Sequence, residues 1–330
     1  MVKYNRIYDE EIYELSNTES KELLNDWILE LRSKGRSGGT IKQYTSDAKA
    51  FITYTYHNFD NRSVLQLGRR DFRNFFLHMS ENGLSSARIN RMQSSIRNLL
   101  AHAEMDDEYY PEYVQNPMMK VKGLEKSEVR DIVFLSREQV DFLLNYLLEH
   151  KRLSEALFFS LAIDSAGRKN ELHQVTKEGF LDDGVYKTSI VQGKRGKKFP
   201  LMYSQTTKAI AKEYLEERGE DDFDGLWLSV RGEKREVTSG TLYNYALGFR
   251  SILESEYKTD IPLNVHSLRH TSLELYSTGQ HPALKSMGKD KLDLNMLRIL
   301  ANHSDISTTQ GYLKDTDSEL LNELFSDFDE

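Results

Sequence analysis

Two histidines and an arginine sit within five residues in His266-Ser267-Leu268-Arg269-His270, and His303 and Tyr312 follow further on. Two more cations lie upstream. Arg168 stands in Ser165-Ala166-Gly167-Arg168-Lys169-Asn170-Glu171-Leu172, and Lys194 stands in Gln192-Gly193-Lys194-Arg195-Gly196-Lys197-Lys198. A phosphodiester resists attack because it is already anionic. Cutting it by transesterification takes a nucleophile, charge-matched donors on the non-bridging oxygens, an acid for the leaving oxygen and a route for the nucleophile's proton. A tyrosine with cationic helpers meets these needs without a metal. Its phenol, with an ordinary pKa of about 10, needs such surroundings to act at neutral pH.

Taken singly, each residue has a plainer reading. Tyr312 is one of eighteen tyrosines. Arg168 alone reads as a surface arginine at a helix start, and Lys194 as one cation of a solvated basic turn. The combination in order carries the argument. Arg, Lys, His-x-x-Arg, His and Tyr, in that sequence, resembles the pattern of the tyrosine recombinase (phage integrase) family. His303 to Tyr312, with paired threonines between them, and His266-x-x-Arg269-His270-Thr271 are its most specific pieces.

That resemblance implies roles. Tyr312 is the nucleophile that forms a 3′-phosphotyrosyl ester, and a second 5′-hydroxyl then reseals the strand without ATP. Arg168 and Arg269 clamp the phosphate, because a guanidinium fork makes bidentate contacts and stays charged. Lys194 is the general acid, with Lys197 as fallback. His303 donates to a non-bridging oxygen, His266 assists proton transfer or holds the phosphate, and Glu171 braces the site. No cofactor or metal enters. The implied partners are double-stranded DNA and further copies of the chain, as a tetramer on two duplexes.

Composition sets the frame. A chain of 330 residues with 38 % hydrophobic and 29 % charged residues reads as two globular domains. Zero cysteines exclude disulfides, thiolate zinc sites and a cysteine nucleophile. No apolar run is long enough to span a membrane. The start lacks a signal-peptide apolar region, which makes a cytoplasmic, DNA-associated address the expectation. The net charge of −8 runs against DNA binding, but seven acids crowd between Asp315 and Glu330. The rest is close to neutral and leaves room for a basic face.

The elements that must position these residues are mainly helical, with a small β-sheet. Residues 1–16 are a short acidic segment. Residues 17–116 read as a helical core-DNA-binding domain, with apolar residues at helical spacing in Ser20–Leu31, from Ile41, in Arg69–Met79 and in Ser86–Ala103. Thr40 is the expected cap of the second of these. Residues 117–131 form a basic linker. Residues 132–314 form an α+β catalytic domain, in which Val185–Val191 and Lys198–Leu201 make a hairpin with Lys194 at its tip. Residues 315–330 read as an acidic amphipathic helix, which the family resemblance places on a neighbouring protomer. Candidate DNA contacts are Arg88, Arg91 and Arg97 on one helix, Lys120 and Lys122 in the linker, Arg195 and Lys197 on the hairpin, and Tyr243 and Arg250.

The chain also departs from the family pattern. Asn302 stands where glycine usually precedes the histidine. Ser165-Ala166-Gly167-Arg168 replaces Thr-Gly-x-Arg. Residues 280–291 lengthen the interval between Arg269 and His303. Asn302, the lengthened interval and the acidity favour an alternative, a sequence-specific DNA-binding regulator, repressor-like, that keeps the fold without catalysis. The intact catalytic set favours the enzyme. A nicking-closing topoisomerase would use the same residues.

Overall fold

The computed structural model describes residues 7–125, 132–229 and 232–313, and only the backbone of Arg195. Internal packing divides the chain into two units, Met1–Arg130 and Asp131–Glu330.

The first unit holds α1 (Glu10–Leu15), α2 (Thr18–Ser33), α3 (Gly38–Asn58), α4 (Arg69–Glu81) and α5 (Ser86–Met105). Their starts follow from side-chain caps: Asp9, Asn17, Ser37 and Ser85 each accept a backbone N–H of the first turn. Ser37, not Thr40, caps α3, so Gly38 and Gly39 fall inside its first turn. The acidic N-terminal segment contributes α1, which buries Tyr13 against the same core. Phe51, Phe72 and Phe75 pack ring to ring at the centre, with Phe51 and Phe75 centroids 4.7 Å apart. The segment read as a basic linker, residues 117–131, begins with a docked turn, Pro117–Lys120. Met118 is fully buried in the helical core.

The second unit is built around α7 (Leu153–Ser165), buried continuously from Ala156 to Ser165. A helix apolar on all sides belongs inside a core. Around it lie α6 (Arg137–Glu149), α8 (Lys169–His173), α9 (Gln205–Arg218), α10 (Ser239–Tyr257) and α11 (Val265–Thr278). The short helices α12 (Leu284–Met287), α13 (Leu294–Leu300) and α14 (Ile306–Gln310) follow. Ser136 and Gln139 form the expected capping box of α6. The antiparallel hairpin of β1 (Lys187–Gln192) and β2 (Lys198–Met202) pairs Gln192 with Lys198 at its tip. A second, two-residue pair, β3 (Leu228–Ser229) with β4 (Arg235–Glu236), has too short a pattern to be read from sequence.

The inserted stretch 280–291 is anchored. His281 is 2 % exposed and stacks on Tyr276, with centroids 3.6 Å apart. Leu284 joins a small cluster with Leu273, Leu297 and Ala301, against which Tyr312 packs. Gly279, at φ +81°, closes the loop, since a Cβ there would meet the Asp290 carbonyl at 2.8 Å. The expected C-terminal helix lies outside the described residues.

Candidate active site

The helix α11 carries His266, Arg269 and His270 at positions i, i+3 and i+4, which one helix face brings together. Asn264 caps it, accepting the His266 and Ser267 amides. Arg269 is only 1 % exposed, an extreme burial for a guanidinium. It donates to the Ala166 carbonyl, to the Ala301 carbonyl at 2.6 Å and to His303 Nε2 at 2.6 Å. Its Nε has no hydrogen-bond partner among the described residues. Burial and the facing Arg168 pull its pKa down to about 10, which leaves it charged at neutral pH.

Arg168 arrives from the other side. The chain leaves α7 through Ala166 at φ +51° and caps α8 with Arg168. Glu171, 2 % exposed, accepts the Arg168 amide at 2.8 Å and its Nη1 at 2.9 Å, and lies 4.0 Å from Arg269 Nη1. A buried carboxylate is tolerable only when paired, and here two arginines pair it. Glu171 therefore braces both guanidinium groups. Trp227 pins the end of α8 by donating to the Leu172 carbonyl at 2.7 Å.

The hairpin is tied to the same place. The Gln174 side-chain amide donates to the Gln192 carbonyl and accepts from its N–H at 3.0 and 2.9 Å. Gly193 passes so close that a Cβ would meet the Phe199 ring at 2.7 Å and Glu171 Oε1 at 3.2 Å. Lys194 and Lys197 are exposed on the turn beyond, and among the described residues neither is ion-paired. The arginine–histidine cluster is assembled without Lys194.

His303 follows Asn302, which sits at φ +52°. Glycine tolerates that region and asparagine is the next best tenant, so the departure from the family's glycine keeps the backbone. Ala166 occupies the equivalent left-handed position before Arg168. Burial first, then Arg269, Arg168 and His266, hold the His303 pKa down to about 3. The His266 pKa is held down to about 4 by desolvation and by its neighbours His270, Arg269 and Arg168. Both rings are neutral at physiological pH.

Tyr312 lies in the middle. Its ring centroid is 4.5 Å from His270, 5.0 Å from His303 and 5.2 Å from His266, and the Arg269 guanidinium carbon is 5.1 Å away. His270 Nδ1 hydrogen-bonds the Tyr312 carbonyl at 3.0 Å. The sequence reading gave His270 no role, although its place one turn from His266 on the same face was available as a signal. Thr309, which binds His303 Nδ1 at 3.0 Å, was likewise unassigned.

Two models of protein families match, the phage integrase N-terminal SAM-like domain over residues 24–105 and the phage integrase family over residues 133–319. The chain belongs to the phage integrase family. It is 25 % identical over 303 residues to the tyrosine recombinase XerA of Thermococcus kodakarensis, covering 91 % of this chain and 93 % of that one. It is 25 % identical over 300 residues to the tyrosine recombinase XerD of Halalkalibacterium halodurans, covering 84 % and 88 %. Its fold is similar to that of a lambda integrase tetramer bound to a Holliday junction, with a TM-score of 0.68 at 18 % identity over 90 % of this chain and 78 % of that one. It is also similar to XerH bound to a palindromic difH substrate, with a TM-score of 0.63 at 19 % identity over 88 % and 80 %.

The expected DNA contacts of this integrase-family chain divide into two groups. Lys120, Lys122 and Lys197 are exposed, and Tyr243 is 45 % exposed with Lys169 Nζ 5.9 Å from its ring centre. Arg88 and Arg91 converge on Asp47. Two others are spent inside the chain. Arg97 donates to the Met118 and Val121 carbonyls and so straps the docked turn to α5. Arg250 is held between Glu254 at 2.7 Å and Asp260 at 2.6 Å, two carboxylates that outweigh its charge. The Arg195 side chain lies outside the described residues. One group among the described residues has the make-up of a metal site: Asp26, His102 and Asp106 in the first unit. His102 already pairs with the exposed Asp26 at 2.6 Å, which accounts for their closeness.

Proposed function

We propose that the protein is a site-specific DNA recombinase, a tyrosine-type strand transferase that cuts and rejoins double-stranded DNA through a 3′-phosphotyrosyl intermediate. The observation that carries this reading is the placement of Tyr312 over Arg269, ringed by three histidines of its own chain. In the proposed step the Tyr312 oxygen attacks phosphorus and the bond to the 5′-oxygen breaks. The phenolic proton leaves through a histidine, with His266 nearest the surface. Lys194 hands a proton to the departing 5′-oxygen. Arg168 and Arg269, braced by Glu171, take up the charge on the non-bridging oxygens. The reverse attack by a 5′-hydroxyl of another strand reseals the backbone.

On this reading residues 17–116 and 132–314 grip DNA, joined by residues 117–131, and residues 315–330 serve assembly of a tetramer. The similar lambda integrase, seen as a tetramer on a Holliday junction, supports that assembly. Arg88, Arg91, Lys120, Lys122, Lys197 and Tyr243 are the proposed DNA contacts, and the address is cytoplasmic and DNA-associated. No helix among the described residues is long and apolar enough to cross a membrane. Two of the features that favoured a regulator are accommodated by the site: Asn302 holds the backbone a glycine would, and Leu284 of the insertion belongs to the apolar cluster against which Tyr312 packs.

The test is covalent trapping. Wild type and Tyr312→Phe are incubated with DNA from the native genomic neighbourhood, nicked so that the leaving strand diffuses away. An adduct with wild type only is expected. No adduct from either, with the same footprint from both, would replace the enzyme by the regulator.

A further inference from the structure

In the first unit one carboxylate is buried more deeply than its charge alone allows. Asp47, in the middle of α3, is 0 % exposed. Its Oδ1 faces Arg88 Nη1 at 2.8 Å and accepts from Gln43 Nε2 at 3.2 Å. Its Oδ2 accepts from Ser95 Oγ at 2.9 Å and lies 3.5 Å from Arg91 Nε. One anion thus faces two guanidinium groups, and the group keeps one net positive charge.

The arginines sit where a helix least favours them. Ser85 caps α5, so Arg88 lies in its first turn, where aligned peptide dipoles already present positive charge. Arg91 is one turn on, over the same face. Nothing acidic in that turn offsets them; the compensation comes from α3 through Asp47. The guanidinium groups are only partly covered, with side-chain exposures of 23 % for Arg88 and 40 % for Arg91. Their inner nitrogens, Arg88 Nη1 and Arg91 Nε, face the carboxylate without an aligned hydrogen bond. A pair that served stability alone would close its charges and hydrogen bonds inward. Here the inner edges are anchored and the outer edges, with the surplus charge and the helix N-terminus, are left for an external anion.

We infer that Asp47 is a positioning residue of the DNA interface: it anchors Arg88 and Arg91 by their inner edges so that their outer edges meet backbone phosphate. This rests on the proposed reading of Arg88 and Arg91 as DNA contacts. Charge counting and positioning predict opposite signs. Removing an anion beside a phosphate site should tighten binding if charge alone matters. Releasing two arginines from a shared anchor should weaken it, because the ordering of both side chains is then lost on binding.

The experiment measures binding of the full-length chain to a fluorescein-labelled duplex of arbitrary sequence by anisotropy, across a salt series. The proteins are wild type, Asp47→Asn, the double variant Arg88→Ala/Arg91→Ala, and the triple variant. Expected are a loss of about fivefold for Asp47→Asn, a shallower salt slope for the double variant, and no further loss in the triple. Tighter or unchanged binding by Asp47→Asn overturns the inference. So does a triple variant weaker than the double by the factor seen for Asp47→Asn alone, which would mark a purely structural role. A double variant that binds like wild type overturns instead the reading of Arg88 and Arg91 as DNA contacts, and the inference with it. If Asp47→Asn does not fold, Ser95→Ala replaces it, withdrawing one hydrogen bond while the charge stays. A loss of about twofold, absent in the Arg88→Ala/Arg91→Ala background, is then the supporting result, and no loss the overturning one.

Discussion

Arg269 Nη2 lies 2.6 Å from His303 Nε2, and that contact fixes the histidine's proton on the other nitrogen. A guanidinium only donates, so Nε2 must accept. The proton is then on Nδ1, where it meets Thr309 Oγ1 at 3.0 Å. In this arrangement His303 has no Nε2 proton to give to a phosphate oxygen. Donation requires the phosphate to draw Arg269 away from His303 and the imidazole to gain a proton or change tautomer. Among the described residues, Arg269 Nε is a buried donor of this site left without a hydrogen-bond partner.

Arg269→Lys is therefore expected to abolish more than a charge would suggest. Lysine cannot reach Ala166, Ala301, His303 and a phosphate at once. Adduct formation on nicked DNA should fall by about a hundredfold or more, the scale of losing an aimed donor on a developing anion. DNA affinity should change far less. Single-turnover trapping beside an equilibrium binding curve separates the two.

His270→Phe isolates the hydrogen bond to the Tyr312 carbonyl. The ring stack is kept and the donor is lost. Cleavage should slow by about fivefold to tenfold, the worth of one hydrogen bond, with affinity for DNA unchanged. His270→Ala, which removes the stack as well, should be slower still.

Stability should depend on pH through the buried histidines. His281 is the clearest case: it donates through Nε2 to the Ile163 carbonyl at 3.1 Å and accepts the Ala283 amide at Nδ1, also at 3.1 Å. Only the neutral ring satisfies both, and burial holds its pKa down to about 3, from 6.5. Between those values the unfolded chain takes up a proton that the native chain refuses, so stability rises with pH and is lost as pH falls below 6.5. From there to a pH of about 5, His281 alone should cost about 1–2 kcal/mol. Denaturant melts across that range should show a flatter profile for His281→Gln, at a lower stability near neutral pH.

The two left-handed residues before Arg168 and His303 make a paired prediction. Asn302→Gly should be near neutral in stability, while Asn302→Val, β-branched at φ +52°, should cost about 2 kcal/mol. Ala166→Gly relieves strain but removes a buried methyl, terms of about 1 kcal/mol each that nearly cancel. Thermal melts of the three variants check the order.

The order of chemistry-bearing residues was legible through its resemblance to the tyrosine recombinase pattern, and their types fit the chemistry. A phosphate clamp needs guanidinium, and transesterification needs a nucleophile. Helix positions were legible too, since α2 and α5 carry apolar residues at helical spacing over several turns. Caps were less so: Ser37 and Thr40 compete for one turn, and only the backbone path selects Ser37. The short β3–β4 pair and α1 carry too few residues for periodicity to speak.

What the sequence determined by itself is therefore the inventory: a tyrosine, two arginines, two histidines and a lysine, with helices to carry them. Tertiary structure decided which of them meet. Arg168 and Arg269 are far apart in sequence and share Glu171 only because α8 and α11 pack against the same buried α7. Arg97 reads as a surface cation until the fold supplies it with the Met118 and Val121 carbonyls, whereas Arg250 meets Glu254 one turn along its own helix. Asp47 meets Arg88 and Arg91 only because α5 packs across α3. Side-chain type is written along the chain, but pairing depends on distances of a few ångströms between segments distant in sequence. Those distances are set by the packing of apolar faces, which no local pattern records.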